Sequence, residues 1–348
     1  MKYGFIPTTL FERLALASGK VPIPIFDALY GIMKARALMA GVRLGVFEAM
    51  RDGARDAATM ARTLGLDADC LELLLRALVL AEYVERRADG RFQLRPLARR
   101  TLLDGAPMEL TGFVEWNYTH WEFAAHLEEL LRTGRGVEFH ATLSAPAAWG
   151  HYQRAMLELA RIDAAVVARS VPVPYGAGRL LDLAGSHGLL GAAICRVHPP
   201  MRSTVFDLPQ AIEHARALAT AEGITDIVEH RTGNLLDDDF GKDYDVVLAA
   251  NILHHFKPDQ VLAILEKARD ALRPGSTLAI WDVEGSRNGA PVSLRDAPAL
   301  FFRLTSTARA YHGDEYAAWL RQAGFGEVTI KRPRRTLGNV LVYGRRQE

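Results

Sequence analysis

The sequence predicts an α/β chain: a mostly helical N-terminal domain in winged-helix order, followed by a Rossmann-like domain built on a mostly parallel sheet. Three observations predict it. From residue 173 onward, apolar strand-like runs alternate with helical segments, which is the signature of a parallel sheet covered on both faces. Residues 35–94 read as three helices and a hairpin. The length, 348 residues, exceeds what one typical core organises and suits two domains.

The elements follow in order. Residues 1–34 hold an apolar helical stretch and then VPIPIF, whose prolines are expected to break it. An arm of this size cannot bury its own apolar face and needs another surface. KARALMAGVRLGVFEAM spaces Leu38, Val42, Val46 and Phe47 close to helical period. DAATMARTLGL is a short second helix, and DADCLELLLRALVLAEYV sets Leu71, Leu74, Leu75, Leu78 and Val79 along one face. YVERRADGRFQLRP is a hairpin turning at Asp89-Gly90, where positive φ is needed. These segments define an arm and winged-helix domain over 1–106, a helical linker over 107–172 and the Rossmann-like domain over 173–348.

GRLLDLAG, MRSTVFDLP, DIVEHRTGN, YDVVLAANIL and STLAIWDVEG each read as a buried strand ending in a polar or glycine-rich turn. The tail FGEVTIKRPRRTLGNVLVYGRR adds two strands whose short connection allows only an antiparallel pair. The expected sheet has seven strands, six parallel and one antiparallel.

Charge excludes several classes of partner. Lys and Arg total 42 against 41 Asp and Glu, so no bulk field holds nucleic acid or an anionic membrane. The two cysteines, Cys70 and Cys195, are far apart and outside any CxxC pair, which argues against a disulfide framework or a zinc site. No metal is expected. The N-terminus lacks a signal-peptide arrangement, and no run approaches the roughly 18 apolar residues of a membrane span. A cytoplasmic protein is expected.

The strongest constellation is Leu181-Asp182-Leu183-Ala184-Gly185-Ser186-His187-Gly188, where Gly185 and Gly188 let the backbone turn tightly against a ligand. Asp207, nineteen residues after Gly188, ends the next strand, where an acid can take both hydroxyls of a ribose. Gly233-Asn234 ends the third strand, beside where an adenine would lie. All sit at strand C-termini on one sheet edge, where open α/β sheets bind ligands. A dinucleotide site is the competing reading. It wants G-x-G-x-x-G spacing and a helix N-terminus free for a pyrophosphate, whereas the text here is G-S-H-G-L-L-G. Asp182 would repel a pyrophosphate and suit the cationic amino group of a methionine moiety. The loop therefore favours S-adenosylmethionine, with S-adenosylhomocysteine as its product. Leu208 and Asn251, at two of the strand ends, join the expected cofactor-binding set.

LLDLAGSHG, STVFDLP, RTGNLL, NILHHF and LRPGSTLAIWD, in this order and spacing, resemble the class I methyltransferases. More narrowly they resemble small-molecule O-methyltransferases of the caffeate and hydroxyindole type and their bacterial natural-product relatives, which carry an N-terminal winged-helix dimerisation domain. The resemblance covers nearly the whole chain. It implies that Gly185 and Gly188 approach the cofactor, that Asp207 binds its ribose, and that Asn234 and Leu235 lie against the adenine. The usual triple glycine is Ala184-Gly185-Ser186 here, and Asn234 replaces a common aspartate. Both replacements are small enough, or polar enough, to keep the function.

Asn251-Ile252-Leu253-His254-His255-Phe256 follows the fourth strand. A histidine there can take a proton from a hydroxyl near neutral pH; the bland alternative is a pair that only shapes the turn before Pro258. In the resembled family the first histidine is the base, which maps to His254. Plant members flank it with two acids. Asp282 matches the first; the second falls near Ala310, where only His312 and Asp314 are close by. One orienting acid leaves C- or N-methylation, or non-methylating chemistry, as alternatives to O-methylation. The acceptor pocket is expected to draw on Met156, Trp116, Tyr118, Trp121, Phe301 and Phe302, against the bland reading that aromatics and methionines at helical spacing are core. Met156 is favoured because the resembled family places a methionine there.

A winged-helix DNA-binding protein is the main competing class. The third helix decides against it: from Ala68 to Val84 the only basic residue is Arg76, against Asp69, Glu72 and Glu82, whereas a recognition helix offers several donors to phosphates and base edges. Its leucine-rich faces and the arm suit a homodimer in which each arm packs on the other chain.

Overall fold

The structure, a computed structural model, describes residues 6–137, 139–143, 146–287, 289, 292, 296–334, 336 and 338–348. It divides into two compact units, Met1–Tyr118 and Thr119–Glu348. Residues 1–5 of the expected arm lie outside the described residues.

The first unit opens with α1 (Leu10–Ala17), started by a Thr9–Glu12 capping box and burying none of its residues. Then α2 (Ile23–Arg43) runs without a break across the expected boundary at Ala35. Pro22 caps this helix and Pro24 occupies its first turn. A first-turn proline lacks only an N–H that has no helical partner anyway, so the prolines at the expected break between α1 and α2 also start the second helix. Asp56 and Asp67 cap α3 (Ala57–Leu64) and α4 (Ala68–Leu80) through the Thr59 and Cys70 amides. Leu71, Leu75 and Leu78 of α4 are buried with Val46, Phe47 and Met50 in one core, and Leu74 and Val79 pack at its edge. The hairpin β1 (Val84–Arg86) and β2 (Phe92–Leu94) is antiparallel, with Gly90 at φ +83° in its turn. A short α5 (Pro96–Thr101) follows.

The helix α6 (Thr111–Ala124) carries the chain into the second unit, followed by α7 (Leu127–Thr133), α8 (Phe139–Thr142) and the long α9 (Pro146–Ser170). Then strands and helices alternate: β3 (Arg179–Leu183), α10 (Leu189–Val197), β4 (Arg202–Asp207), α11 (Pro209–Ala221), β5 (Val228–Thr232), β6 (Tyr244–Ala250), α12 (Pro258–Ala271) and β7 (Leu272–Val283). The chain ends through α13 (Asp296–Leu304), α14 (Gly313–Gln322), β8 (Phe325–Lys331) and β9 (Asn339–Arg346). The sheet order is β5-β4-β3-β6-β7-β9-β8, with β9 antiparallel to both its neighbours. That is the expected sheet of six parallel strands and one antiparallel.

Alternate strand residues face opposite sides. Leu181, Leu183, Val247 and Ile280 enter one core with residues of α12 and α14, while Leu180, Val246, Leu248 and Ala279 enter another with residues of α9 and α10. Strand order reverses between β3 and β6, so the connections leaving their C-terminal ends run in opposite directions and open the crevice in which such sheets bind ligands.

Candidate functional site

The loop after β3 is shaped by its backbone. Ala184 and Ser186 both sit at φ +51°, and Gly188, at φ +77°, caps α10. A Cβ on Gly185 would collide with the Asp182 carboxylate, and one on Gly188 would lie 2.7 Å from Val228 Cγ1. Only glycine lets the loop fold this closely at those two positions. Asp182 is buried beneath the loop, and neither carboxylate oxygen carries a hydrogen bond. Burial pushes its carboxyl up to about 7; the nearby Gly191 amide offsets part of that rise and the Asp207 charge adds to it.

Asp207 closes β4 beside this loop. The Ser186 amide donates to Oδ2 at 2.9 Å and the Leu208 amide to Oδ1 at 2.8 Å. Each oxygen keeps a further lone pair. Burial raises this carboxyl to about 6, against the pull of those two amides. The Gly233 amide donates to the Asp207 carbonyl at 2.9 Å, and a Cβ on Gly233 would run into the Phe206 ring. Asn234 is engaged within its own turn: Oδ1 accepts from the Leu236 amide and Nδ2 donates to Asp237. Leu235 belongs to the core with Phe206 and Phe240. Its side chain is 6% exposed, so most of it packs on that core at the end of the third strand. Asn251, at φ +51°, accepts from Asn339 Nδ2 at 3.0 Å.

These residues fit S-adenosylmethionine. Asp207 offers acceptor capacity to a ribose, the two glycines let the loop lie directly on Asp182 and Val228 and leave its outer side to a ligand, and the buried Asp182 carboxylate matches a cation.

At the rim, a 3-10 turn (Leu253–His255) presents the histidine pair. His254 is buried, and its Nδ1 lies 2.6 Å from Asp282 Oδ1. A carboxylate only accepts, so Nδ1 carries the hydrogen, and in the neutral imidazole the lone pair is on Nε2. Asp282 also accepts from the Val283 amide at 2.8 Å, the His254 amide at 3.3 Å and the Tyr316 hydroxyl at 2.9 Å. No second acid joins this group among the described residues. Ala310 is apolar and buried, while His312 caps α14 and pairs with Glu284 and Asp314.

Aromatic rings surround the pair. His254 lies against His255 and Phe302, with the rings tilted by 44° and 56° and centroids 4.2 and 4.4 Å apart. Phe301 meets Phe302 at 5.8 Å and His120 at 4.5 Å. Phe139 lies 6.2 Å from His255 and 5.0 Å from Tyr152. Burial lowers His120 to about 4, so it is neutral near pH 7. Half-buried Met156 lies where its backbone meets His187, a histidine that burial lowers to about 4. Trp121 is 40% exposed. Trp116 and Tyr118 belong to the first unit, and the Arg43 and Arg36 guanidinium groups lie over the Tyr118 ring at 3.1 and 4.5 Å. Tyr118 thus takes part in cation–π stacking within the first unit.

Comparison with known proteins settles the family. A model of the O-methyltransferase domain matches residues 123–326, and a model of the O-methyltransferase dimerisation domain matches residues 26–104. The chain belongs to the O-methyltransferase family. This O-methyltransferase is 29% identical over 340 residues to the 3-hydroxy-5-methyl-1-naphthoate 3-O-methyltransferase of Streptomyces sahachiroi, covering 93% of this chain and 95% of the relative. It is 30% identical over 269 residues to the mitomycin biosynthesis 6-O-methyltransferase of Streptomyces lavendulae, covering 74% and 76%. In fold it is similar to human N-acetylserotonin methyltransferase in complex with SAM, with TM-score 0.84, 19% identity and 94% and 98% of the two chains covered.

Sequence reasoning missed three residues around the histidine pair of this O-methyltransferase: Tyr316, whose hydroxyl reaches Asp282, Phe139 beside His255, and Tyr152 beside Phe139. Each lies on a helix, where an aromatic reads equally well as core, and none stands beside a motif.

Proposed function

We propose that this O-methyltransferase transfers the methyl group of S-adenosylmethionine to a hydroxyl of a small, flat aromatic or polyketide-like acceptor, with His254 as general base. When bound, adenosylmethionine supplies an activated methyl group. Asp207 would hold the ribose, the Gly185–Gly188 loop would lie against the ligand, and Asp182 would balance the amino group's charge. The observation that carries the reading is the buried His254–Asp282 contact of 2.6 Å. It fixes the tautomer, so that Nε2 accepts the acceptor's proton while Asp282 stabilises the imidazolium that forms. The rings of Phe139, His255, Phe301 and Phe302 support a planar acceptor and keep water from the reacting atoms. The 29% identical naphthoate methyltransferase supports an aromatic substrate. The reading takes the enzyme to be a cytoplasmic homodimer without a nucleic-acid partner.

The test compares His254→Ala and His255→Ala, using radiolabelled adenosylmethionine and phenolic probe acceptors such as 1-naphthol. Loss of a positioned base costs about 10²- to 10⁴-fold in rate, and adenosylmethionine affinity in His254→Ala should stay near normal. His255→Ala should be milder and act on acceptor affinity. The reverse order would assign the base to His255, and full activity in both would mean that proximity alone suffices.

A further inference from the structure

Tyr316 lies on α14, 34 residues along the chain from Asp282, and its side chain is fully buried. Its ring is held edge-on by Tyr311 at 5.8 Å and by Trp319 at 5.9 Å. Its hydroxyl donates to Asp282 Oδ2, the oxygen that does not face the His254 ring. Burial, with the Asp282 charge added, raises the Tyr316 hydroxyl well above its ordinary range. It therefore stays a donor at every working pH.

We propose that Tyr316 is a positioning residue that acts through Asp282, setting how strongly the carboxylate draws a proton onto His254. This rests on the reading of His254 as the base. The carboxylate has about four lone-pair directions and four donors: the His254 ring, the His254 amide, the Val283 amide and the Tyr316 hydroxyl. Of these, the hydroxyl alone comes from outside the strand and turn that carry the dyad. It holds Oδ2 so that Oδ1 stays on Nδ1. It also stabilises the anion most when His254 is neutral, because a protonated imidazole already satisfies much of the carboxylate's charge. Removing the hydroxyl therefore favours the protonated dyad and raises the pKa of His254. The other titratable groups at hand are His255 on the same turn, Tyr311 and Glu315 beside Tyr316, and Glu284, which is locked in a bidentate pair with Arg332. All are present alike in the wild type and in Tyr316→Phe.

The test is histidine NMR titration of the free enzyme, with His254→Gln assigning the resonance, in wild type and Tyr316→Phe. The substitution keeps the ring and its contacts with Tyr311 and Trp319. The His254 pKa should rise by about half a unit or more. A residue of purely structural importance would lower the melting temperature and leave that titration unmoved, and an unmoved or lowered pKa overturns the proposal. Should Tyr316→Phe fail to fold, 3-fluorotyrosine at position 316, a stronger donor of nearly the same shape, should move the pKa down; no movement there also overturns it. The titration reports on Tyr316 whether or not His254 is the base. Failure of that reading shows separately, as turnover of 1-naphthol undiminished in His254→Gln.

Discussion

The backbone amide of Ser186 donates to the Asp207 carboxylate at 2.9 Å, tying the glycine loop after β3 to the end of β4. One side chain thereby serves two strands. It fixes the loop from below and keeps acceptor capacity for a ribose.

Asp207→Ala should remove both services. Adenosylmethionine affinity is expected to fall at least about 10-fold, since leaving polar ligand groups unpaired costs roughly 1–3 kcal/mol. Isothermal calorimetry checks it, and unchanged affinity would remove Asp207 from the cofactor site. NAD should not bind to either protein.

Asp182 predicts a proton linkage. Its folded pKa, about 7, lies above the ordinary carboxylate range. The native state therefore holds this proton more tightly than the unfolded chain, and the group's effect on stability becomes less favourable as pH rises toward 7. Wild type should lose stability relative to Asp182→Asn between about pH 4 and 7. A cationic amino group nearby favours the ionised form, so cofactor binding near pH 7 should release a fraction of a proton. Calorimetry in two buffers of different ionisation enthalpy measures it, and zero release would mean that the amino group is held elsewhere.

Gly233→Ala should harm both fold and site. The added methyl meets the Phe206 ring, itself packed 5.3 Å from Phe240. Overpacking of this kind costs roughly 1–3 kcal/mol, so thermal melting should fall by several degrees. Because the Gly233 amide holds the Asp207 backbone, cofactor affinity should weaken as well. A normal melting curve would show that Phe206 can move aside.

Assembly supplies the fourth test. Ile6, Leu10, Phe11 and Leu14 are exposed, and α1 buries no residue. Light scattering at micromolar concentration should give about twice the 38.4 kDa chain mass. Deleting residues 1–21, which leaves α2 whole, should cost dimer stability or solubility. Unchanged behaviour would make the arm dispensable.

The strands and the glycine loop were legible because their signals are local. A buried parallel strand is an apolar run, and the turns that end it need small or polar residues. His254 was legible for the same reason, and Asp282 because it ends the adjoining strand. Tyr316 was not, since its contact with Asp282 joins a helix to a strand and leaves no periodic trace. Pro22 and Pro24 marked the break after α1 but not the start of α2, because the same residue that interrupts a helix also begins one. The contacts of Tyr118 were not legible either, because an aromatic ring on a helix does not reveal that two arginines, Arg36 and Arg43, will lie over it.

The left-handed backbone at Ala184 and Ser186 has a consequence for order. A residue with a side chain reaches this conformation at a cost of roughly 1–3 kcal/mol, whereas glycine reaches it freely, along with many others. A loop of three glycines would relax into this shape and out of it. With methyl and hydroxymethyl groups at two of the three positions, the loop has fewer shapes to choose from. The strain is met once, when the sheet folds. A ligand that takes the loop in this shape would meet little ordering entropy.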